Sequence, residues 1–233
     1  MGPRLPVVYL VRHGETEWSK NGQHTSITEV ELTPHGRTQA RDLSRFVFEN
    51  PCQDFIDPTN ITQIYVSPRR RAQQTLELIN LPNKSTISTI IDPNLTEWHY
   101  GDYEGVTTHD IHSGIYAFWD IWRDGCPNGE TIEQVSNRCD HVIAKLMAHH
   151  ASHMDHDPNG PGGDILVVAH SHLLRILAMR WLNLPPSHGR YTLLDTASLS
   201  VLGYDRSMRV PVIRSWNVTS HLFQKESTNE PIN

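Results

Sequence analysis

Apolar and polar positions follow two rhythms along the 233-residue chain. Short continuous apolar runs, rich in β-branched residues, mark strands buried on both faces. Stretches in which apolar residues recur every three or four positions mark amphipathic helices. Residues 6–11, 61–67 and 164–169 are runs of the first kind, and 85–91 reads as a further strand. Thr33-Pro34 is an N-cap followed by proline at the first helical position. Behind it Ala40, Leu43 and Val47 share one face until Asn50-Pro51 closes the segment. Ala72, Leu76 and Ile79 share a face of a helix over about 69–81. Thr131, with Gln134 three residues on, forms a capping box. It opens a long helix that turns Ile132, Val135, Cys139, Val142, Leu146 and Met147 inward.

Residues 152–163, rich in Gly, Pro, Asp and His, are expected to form a surface loop before the strand at 164–169. A helix over 173–182 and two late strands, about 197–203 and 209–216, follow. The polar tail 225–233 is expected to fray. Strands alternating with helices predict an α/β fold, a three-layer sandwich with a mostly parallel central sheet and helices on both faces. No fixed-period repeat and no linker divides the chain, so residues 1–233 are expected to form one domain with an ordered core over about 5–223.

Composition narrows the function. Hydrophobic residues make up 37% and charged residues 20%, enough apolar surface to build a core. Twenty Lys plus Arg against 26 Asp plus Glu leave a net charge of -6. That balance opposes a nucleic-acid or anionic-membrane partner. No apolar run approaches the roughly 20 residues that cross a bilayer. The first residues are too short in apolar content for a secretory signal, and Pro6 breaks the myristoylation pattern. Three scattered cysteines (Cys52, Cys126 and Cys139) fit a reducing compartment without a disulfide framework. A soluble cytoplasmic protein is the expectation; oligomeric state is not legible.

The chemistry gathers at strand ends. The run VVYLV leads into Arg12-His13-Gly14, and DILVVA leads into His170-Ser171-His172. Ligands of open α/β sheets bind outside the carboxyl ends of the strands, where two histidines from different strands can meet. The strand at 61–67 leads into Ser67-Pro-Arg-Arg-Arg71, and Arg175 follows His170 by five residues. Arginine from three sources at one edge of an acidic protein points to an anion, which guanidinium forks bind bidentately. At least one of Arg69 and Arg70 is expected simply to face solvent. Glu97 lies in an aromatic and glycine-rich segment, LTEWHYGDYEG. Desolvation against aromatic rings would suit it as a general acid, with Asp102 and Glu104 as competitors for that role. The Trp- and Tyr-rich stretch 97–122 is expected to cap a small ligand. His149, His150, His153 and His156 are the alternative metal candidates. They abut a Gly/Pro loop without fixed geometry, so a solvated helix end is expected rather than a metal site.

Four motifs in order resemble the histidine phosphatase, or phosphoglycerate mutase-like, superfamily. They are Arg12-His13-Gly14, Ser67-x-x-x-Arg71-Ala-x-Gln-Thr75, the Glu97 segment, and Val-Ala-His170. Within that superfamily RHGETEWSK, EWHYGDYEG and WRDGCPNGET are similar to the fungal sedoheptulose 1,7-bisphosphatase group. The resemblance implies a phosphomonoesterase in which His13 is the nucleophile and forms a phosphohistidine. It implies that Arg12, Arg71 and His170 hold the phosphoryl oxygens, and that Glu97 protonates the leaving alkoxide and then activates water. Arg71 is preferred to Arg69 and Arg70 because it stands four residues after Ser67 and directly before Ala72. Ser19, His24, Thr25, Tyr100, Ser171 and Arg175 align with pocket positions. The implied partner is a small phosphorylated sugar or polyol; no cofactor and no metal are implied, because arginines neutralise the charge.

Independent of the family, a neutral imidazole attacks only if its proton sits on the other ring nitrogen, which a backbone carbonyl near Gly14 could fix. Ser171 and Ser26 stand where the family commonly has glycine, and are expected to reshape the pocket. The interval 182–197 is shorter than in the sedoheptulose bisphosphatases, which carry a second basic cluster there for a distal phosphate. Arg180, His188 and Arg190 are the residues left to replace it. Two rival functions are a phosphoglycerate mutase, which usually closes its site with a longer C-terminal segment, and a phosphate-binding module without turnover.

Overall fold

The computed structural model describes residues 4–49, 57–114, 116–157 and 162–223. Strand β1 (Val8–Arg12) leads into the short helix α1 (Glu17–Asn21) and then α2 (Pro34–Leu43). Thr33 caps α2 by accepting the Gly36 N–H, as the Thr-Pro pair predicts. Val47 and Phe48 are buried in a π-helical continuation, Ser44–Glu49. Strand β2 (Ile61–Val66) is followed by α3 (Arg70–Leu78) and β3 (Ser88–Ile91). Helices α4 (Thr108–Ser113) and α5 (Ile121–Asp124) belong to the aromatic stretch. The long helix α6 (Ile132–His156) opens on the predicted capping box of Thr131 and Gln134. Strand β4 (Asp164–Ala169), helix α7 (Ser171–Trp181) and the strands β5 (Leu199–Tyr204) and β6 (Pro211–Val218) complete the order.

The sheet runs β3-β2-β4-β1-β5-β6. The four strands from β3 to β1 pair in parallel, and β5 and β6 add antiparallel at one edge. Side chains of β1 and β4 alternate between two cores. Val8, Leu10, Ile165, Val167 and Ala169 join α6 and α7 on one face. Tyr9, Val11, Leu166 and Val168 join α2 and α3 on the other. Burial on both faces is why these strands read as unbroken apolar runs. Helix α7 contributes Leu173, Leu174, Ile176, Leu177 and Trp181, all fully buried. At about 1.5–3 kcal/mol for each large apolar side chain, that helix is firmly held, and so is the turn at its start.

Two expectations change. The loop expected at 152–163 begins later, because α6 continues through His156. Its last turns are held to the sheet: His149 Nε2 pairs with Thr62 Oγ1 at 3.0 Å, and His150 Nδ1 with Tyr204 Oη at 2.9 Å. The strand expected at 85–91 starts at Ser88, because Lys84–Thr86 forms a 3-10 turn. Residues 158–161, Cys52 and the tail 225–233 lie outside the described residues. Among the described residues no helix is long and apolar enough to cross a membrane.

Candidate active site

Across the parallel ladder Arg12 pairs with Ala169, so the next residue of each strand emerges side by side. The His13 and His170 rings meet edge-on, with centroids 5.2 Å apart. His13 Nδ1 lies 2.8 Å from Gly14 O. A carbonyl only accepts, so the proton resides on Nδ1 and the Nε2 lone pair is free. Burial, then Arg71 and Arg12, push the His13 pKa well below the usual histidine range, which keeps the ring neutral.

His170 Nε2 lies 2.7 Å from Ser67 Oγ, at the end of the neighbouring strand β2. Ser67 Oγ also accepts the Arg69 N–H at 3.3 Å. In the tautomer that takes the Ser67 proton at Nε2, His170 carries its own proton on Nδ1 and donates from there. Burial, followed by Arg71, His13, Arg69 and Arg12, lowers the His170 pKa well below the ordinary value.

Arg12 donates from Nη1 to Leu194 O at 2.6 Å. Arg71, fully buried, donates from Nη1 to Thr28 O and from Nη2 to Thr25 O and Ser26 O. Arg12 Nε, Arg71 Nε and His170 Nδ1 are buried and have no partner among the described residues. A buried donor left unpaired costs about 1–3 kcal/mol. Arg12 and Arg71 act electrostatically on His13 and the His170 ring lies against it, so the three unpartnered nitrogens share the neighbourhood of one neutral imidazole. Arg69 pairs with Glu29 and Arg70 with Glu31; Arg70 is exposed, Arg69 is half-buried with its Nε enclosed and unpartnered, and Arg71 alone of the three is fully buried.

Glu97 is buried. Sequence reasoning missed its hydrogen-bond partners. Oε1 accepts N–H from Trp98 and Leu173, each at 2.9 Å, and Oε2 accepts N–H from His172 at 3.1 Å. Two of these donors belong to the first turn of α7. Oε1 accepts two hydrogen bonds and Oε2 one, so Oε2 is the oxygen with the spare lone pair.

His24, Tyr100 and Arg175 form one wall. The His24 and Tyr100 rings lie 4.7 Å apart, and Trp119 meets His24 edge-on at 5.7 Å. Arg175 lies over the Trp122 ring at 4.6 Å and donates from Nε to Gly189 O at 2.9 Å. His172 joins this wall: its Nδ1 pairs with Tyr100 Oη at 2.8 Å, and its ring packs against Trp98 and Trp122. The alternation His170-Ser-His172 was the available signal for it, as the Ser-x-x-x-Arg motif was for Ser67. Trp98, Trp119 and Trp122 are buried around these groups, whereas Phe118 is 88% exposed.

Ser19 and Thr25 turn their hydroxyls to local backbone. Ser19 completes a capping box with Thr16 on α1, and Thr25 Oγ1 donates to Gln23 O at 3.2 Å. Ser171, the first residue of α7, makes no side-chain hydrogen bond among the described residues. Arg180 lies in the last turn of α7, the far end from His170, and pairs with Asp140. Arg190 pairs with Asp120, and the His188 ring lies 6.1 Å from Tyr191. The three therefore form no joint basic cluster. Among the described residues, no group of three His, Cys, Asp or Glu side chains is arranged to hold a metal ion.

A model of the histidine phosphatase superfamily (branch 1) matches residues 8–219. The chain is 42% identical over 190 residues to sedoheptulose 1,7-bisphosphatase of Saccharomyces cerevisiae, covering 77% of this chain and 68% of the relative. It is 37% identical over 209 residues to an acid phosphatase of Mycobacterium tuberculosis, covering 90% and 92%. The solved structure of the product of a Mycobacterium tuberculosis open reading frame matches with a TM-score of 0.77 at 34% identity, over 94% of this chain and 100% of that one. The protein belongs to the histidine phosphatase superfamily. It is a phosphatase, an enzyme acting on a phosphorylated substrate.

Proposed function

We propose that this phosphatase hydrolyses the phosphomonoester of a small sugar or polyol, sedoheptulose 1,7-bisphosphate among the candidates, through a phosphohistidine on His13 and without a metal. The observation that carries the reading is the neutral His13 ring, proton tied to Gly14 O, beside three unpartnered buried donors.

In the first step His13 Nε2 attacks phosphorus and the ester P–O bond breaks. Arg12 Nε, Arg71 Nε and His170 Nδ1 take the equatorial oxygens, whose charge must be stabilised as the group transfers. Glu97 Oε2 gives its proton to the leaving alkoxide. In the second step the same oxygen takes a proton from water, the hydroxide attacks phosphorus, and the N–P bond breaks to release phosphate. Arg12 and Arg71 supply the positive charge a metal would bring.

The wall of His24, Tyr100, His172 and Arg175 suits hydroxyl groups and the apolar face of a sugar, and the yeast relative's name agrees. The pairing of Arg190 and Arg180 with carboxylates leaves Arg175 the best-placed cation for a second phosphate. The free thiols of Cys126 and Cys139 support a reducing, cytoplasmic setting.

The test is phosphate release from sedoheptulose 1,7-bisphosphate, fructose 1,6-bisphosphate, simple sugar and polyol monophosphates and 3-phosphoglycerate, with and without chelator. Turnover of sugar or polyol esters that survives chelation is expected. Loss of activity on chelation, or no turnover of any member, would overturn it.

A further inference from the structure

The guanidinium of Arg71 has backbone carbonyls for partners. Nη1 donates to Thr28 O at 3.2 Å, and Nη2 to Thr25 O at 3.0 Å and Ser26 O at 3.3 Å. Three carbonyls of one short loop therefore set the plane of the guanidinium and the direction of its free Nε. The amides of that loop are engaged too. Ser26 N donates to both Glu104 oxygens, at 2.9 and 3.0 Å, and Thr28 N donates to Oε1 at 3.0 Å. The Ser26 hydroxyl donates to Glu104 Oε2 and accepts the Tyr100 N–H at 3.3 Å.

Loop 25–28 thus lies between a cation on its carbonyl side and an anion on its amide side. Peptide groups held in that sense polarise one another, and each bond strengthens the next. The anchor also reaches the segment that carries Glu97, because Ser26 Oγ takes the Tyr100 amide. Ser26 is 1% exposed, and its hydroxyl proton goes to Glu104 rather than to a ligand.

We propose that Glu104 and the Ser26 hydroxyl are positioning residues for Arg71, acting through the carbonyls of residues 25–28. The inference rests on the reading of Arg71 as a phosphoryl-binding group. Glu104 touches no reacting atom in this scheme; it fixes where the Arg71 fork points. A glutamine at 104 would place an N–H donor against donors that now share a carboxylate. An alanine at 26 would remove only the hydroxyl and leave the backbone contacts in place.

The experiment is a double-mutant cycle in the full chain, read by kcat/KM on an aryl phosphate and by inhibition with orthovanadate. Glu104→Gln should lower kcat/KM and vanadate affinity together by about 10–100-fold, the scale of losing hydrogen bonds to a charged group. Ser26→Ala should lower both by about 3–10-fold, less than Glu104→Gln because the backbone N–H bonds of Ser26 and Thr28 to the Glu104 carboxylate remain. In an Arg71→Lys background, where the fork is already gone, each change should cost less than about 2-fold, because residues acting as a unit are not additive. Equal losses in both backgrounds would overturn the inference while leaving the role of Arg71 intact. If Arg71→Lys alone left kcat/KM unchanged, the phosphoryl-binding reading would fail and this inference with it. Should Glu104→Gln not fold, the Ser26→Ala cycle decides by the same comparison.

Discussion

His13 and His170 stand with ring centroids 5.2 Å apart because Arg12 and Ala169, the residues before them, are partners in the β1–β4 ladder. Two residues 157 positions apart meet through strand register alone. The two rings then take different roles. His13 has its proton fixed on Nδ1 by Gly14 O, whereas His170 pairs with Ser67 through Nε2 and presents an unpartnered Nδ1.

His13→Ala should remove hydrolysis almost entirely, leaving under about 1% of kcat, since a covalent nucleophile contributes several kcal/mol. Acid-quenched turnover with labelled substrate should trap phosphate on the wild-type protein and none on the variant. Retention of more than that residual activity would remove His13 from the chemistry.

The pH profile carries a sign. The His13 pKa lies well below the ordinary histidine value of 6.5, through burial and the neighbouring arginines. The nucleophile therefore stays deprotonated as pH falls through 6.5, and kcat/KM should show no acidic limb there beyond that of the substrate's own second phosphate ionisation, at about pH 6. An additional enzyme limb near pH 6.5, shared by substrates of different phosphate pKa and seen in an enzyme still folded by circular dichroism, would mean that the ring titrates normally.

Glu97→Gln should slow alkyl phosphates about 100-fold or more and an activated aryl phosphate far less, because only a poor leaving group needs the proton. The three backbone N–H donors on the carboxylate would partly be met by the amide oxygen. Equal losses on both substrates would assign Glu97 to holding the start of α7 instead.

Much of this site was legible because the informative residues sit at strand ends, and strands buried on both faces announce themselves as apolar runs. The Arg12-His13 and His170 positions follow from that directly. Glu97 was legible as an acid among aromatics, but two of its three amide donors come from Leu173 and His172, 75 residues and more away, on a helix whose approach no local pattern encodes. Likewise Ser67 meets His170 only because β2 lies beside β4 in the sheet. Glu104 read as a rival acid for the same reason: its partners Ser26 and Thr28 belong to a distant loop. The continuation of α6 to His156 was hidden because histidine-rich composition resembles loop, and the contacts of His149 and His150 that hold it are tertiary.

Stability should fall on acidification for a reason separable from catalysis. His150 is fully buried at the end of α6, with Nδ1 against Tyr204 Oη, and burial lowers its pKa to about 3. The unfolded chain, with an ordinary value near 6.5, binds the proton that the folded chain refuses. Between those two values stability rises with pH, so it is complete above about 6.5 and is lost as pH falls toward 3, at about 1.4 kcal/mol per unit from this residue alone. His24 and His221 shift in the same direction through burial and add to the slope. His150→Gln keeps an acceptor for Tyr204 but binds no proton, so the fall in urea midpoint from pH 7 to pH 5 should be shallower by about one proton's worth. An unchanged slope would show that His150 is protonated in the fold and that its acid response lies elsewhere.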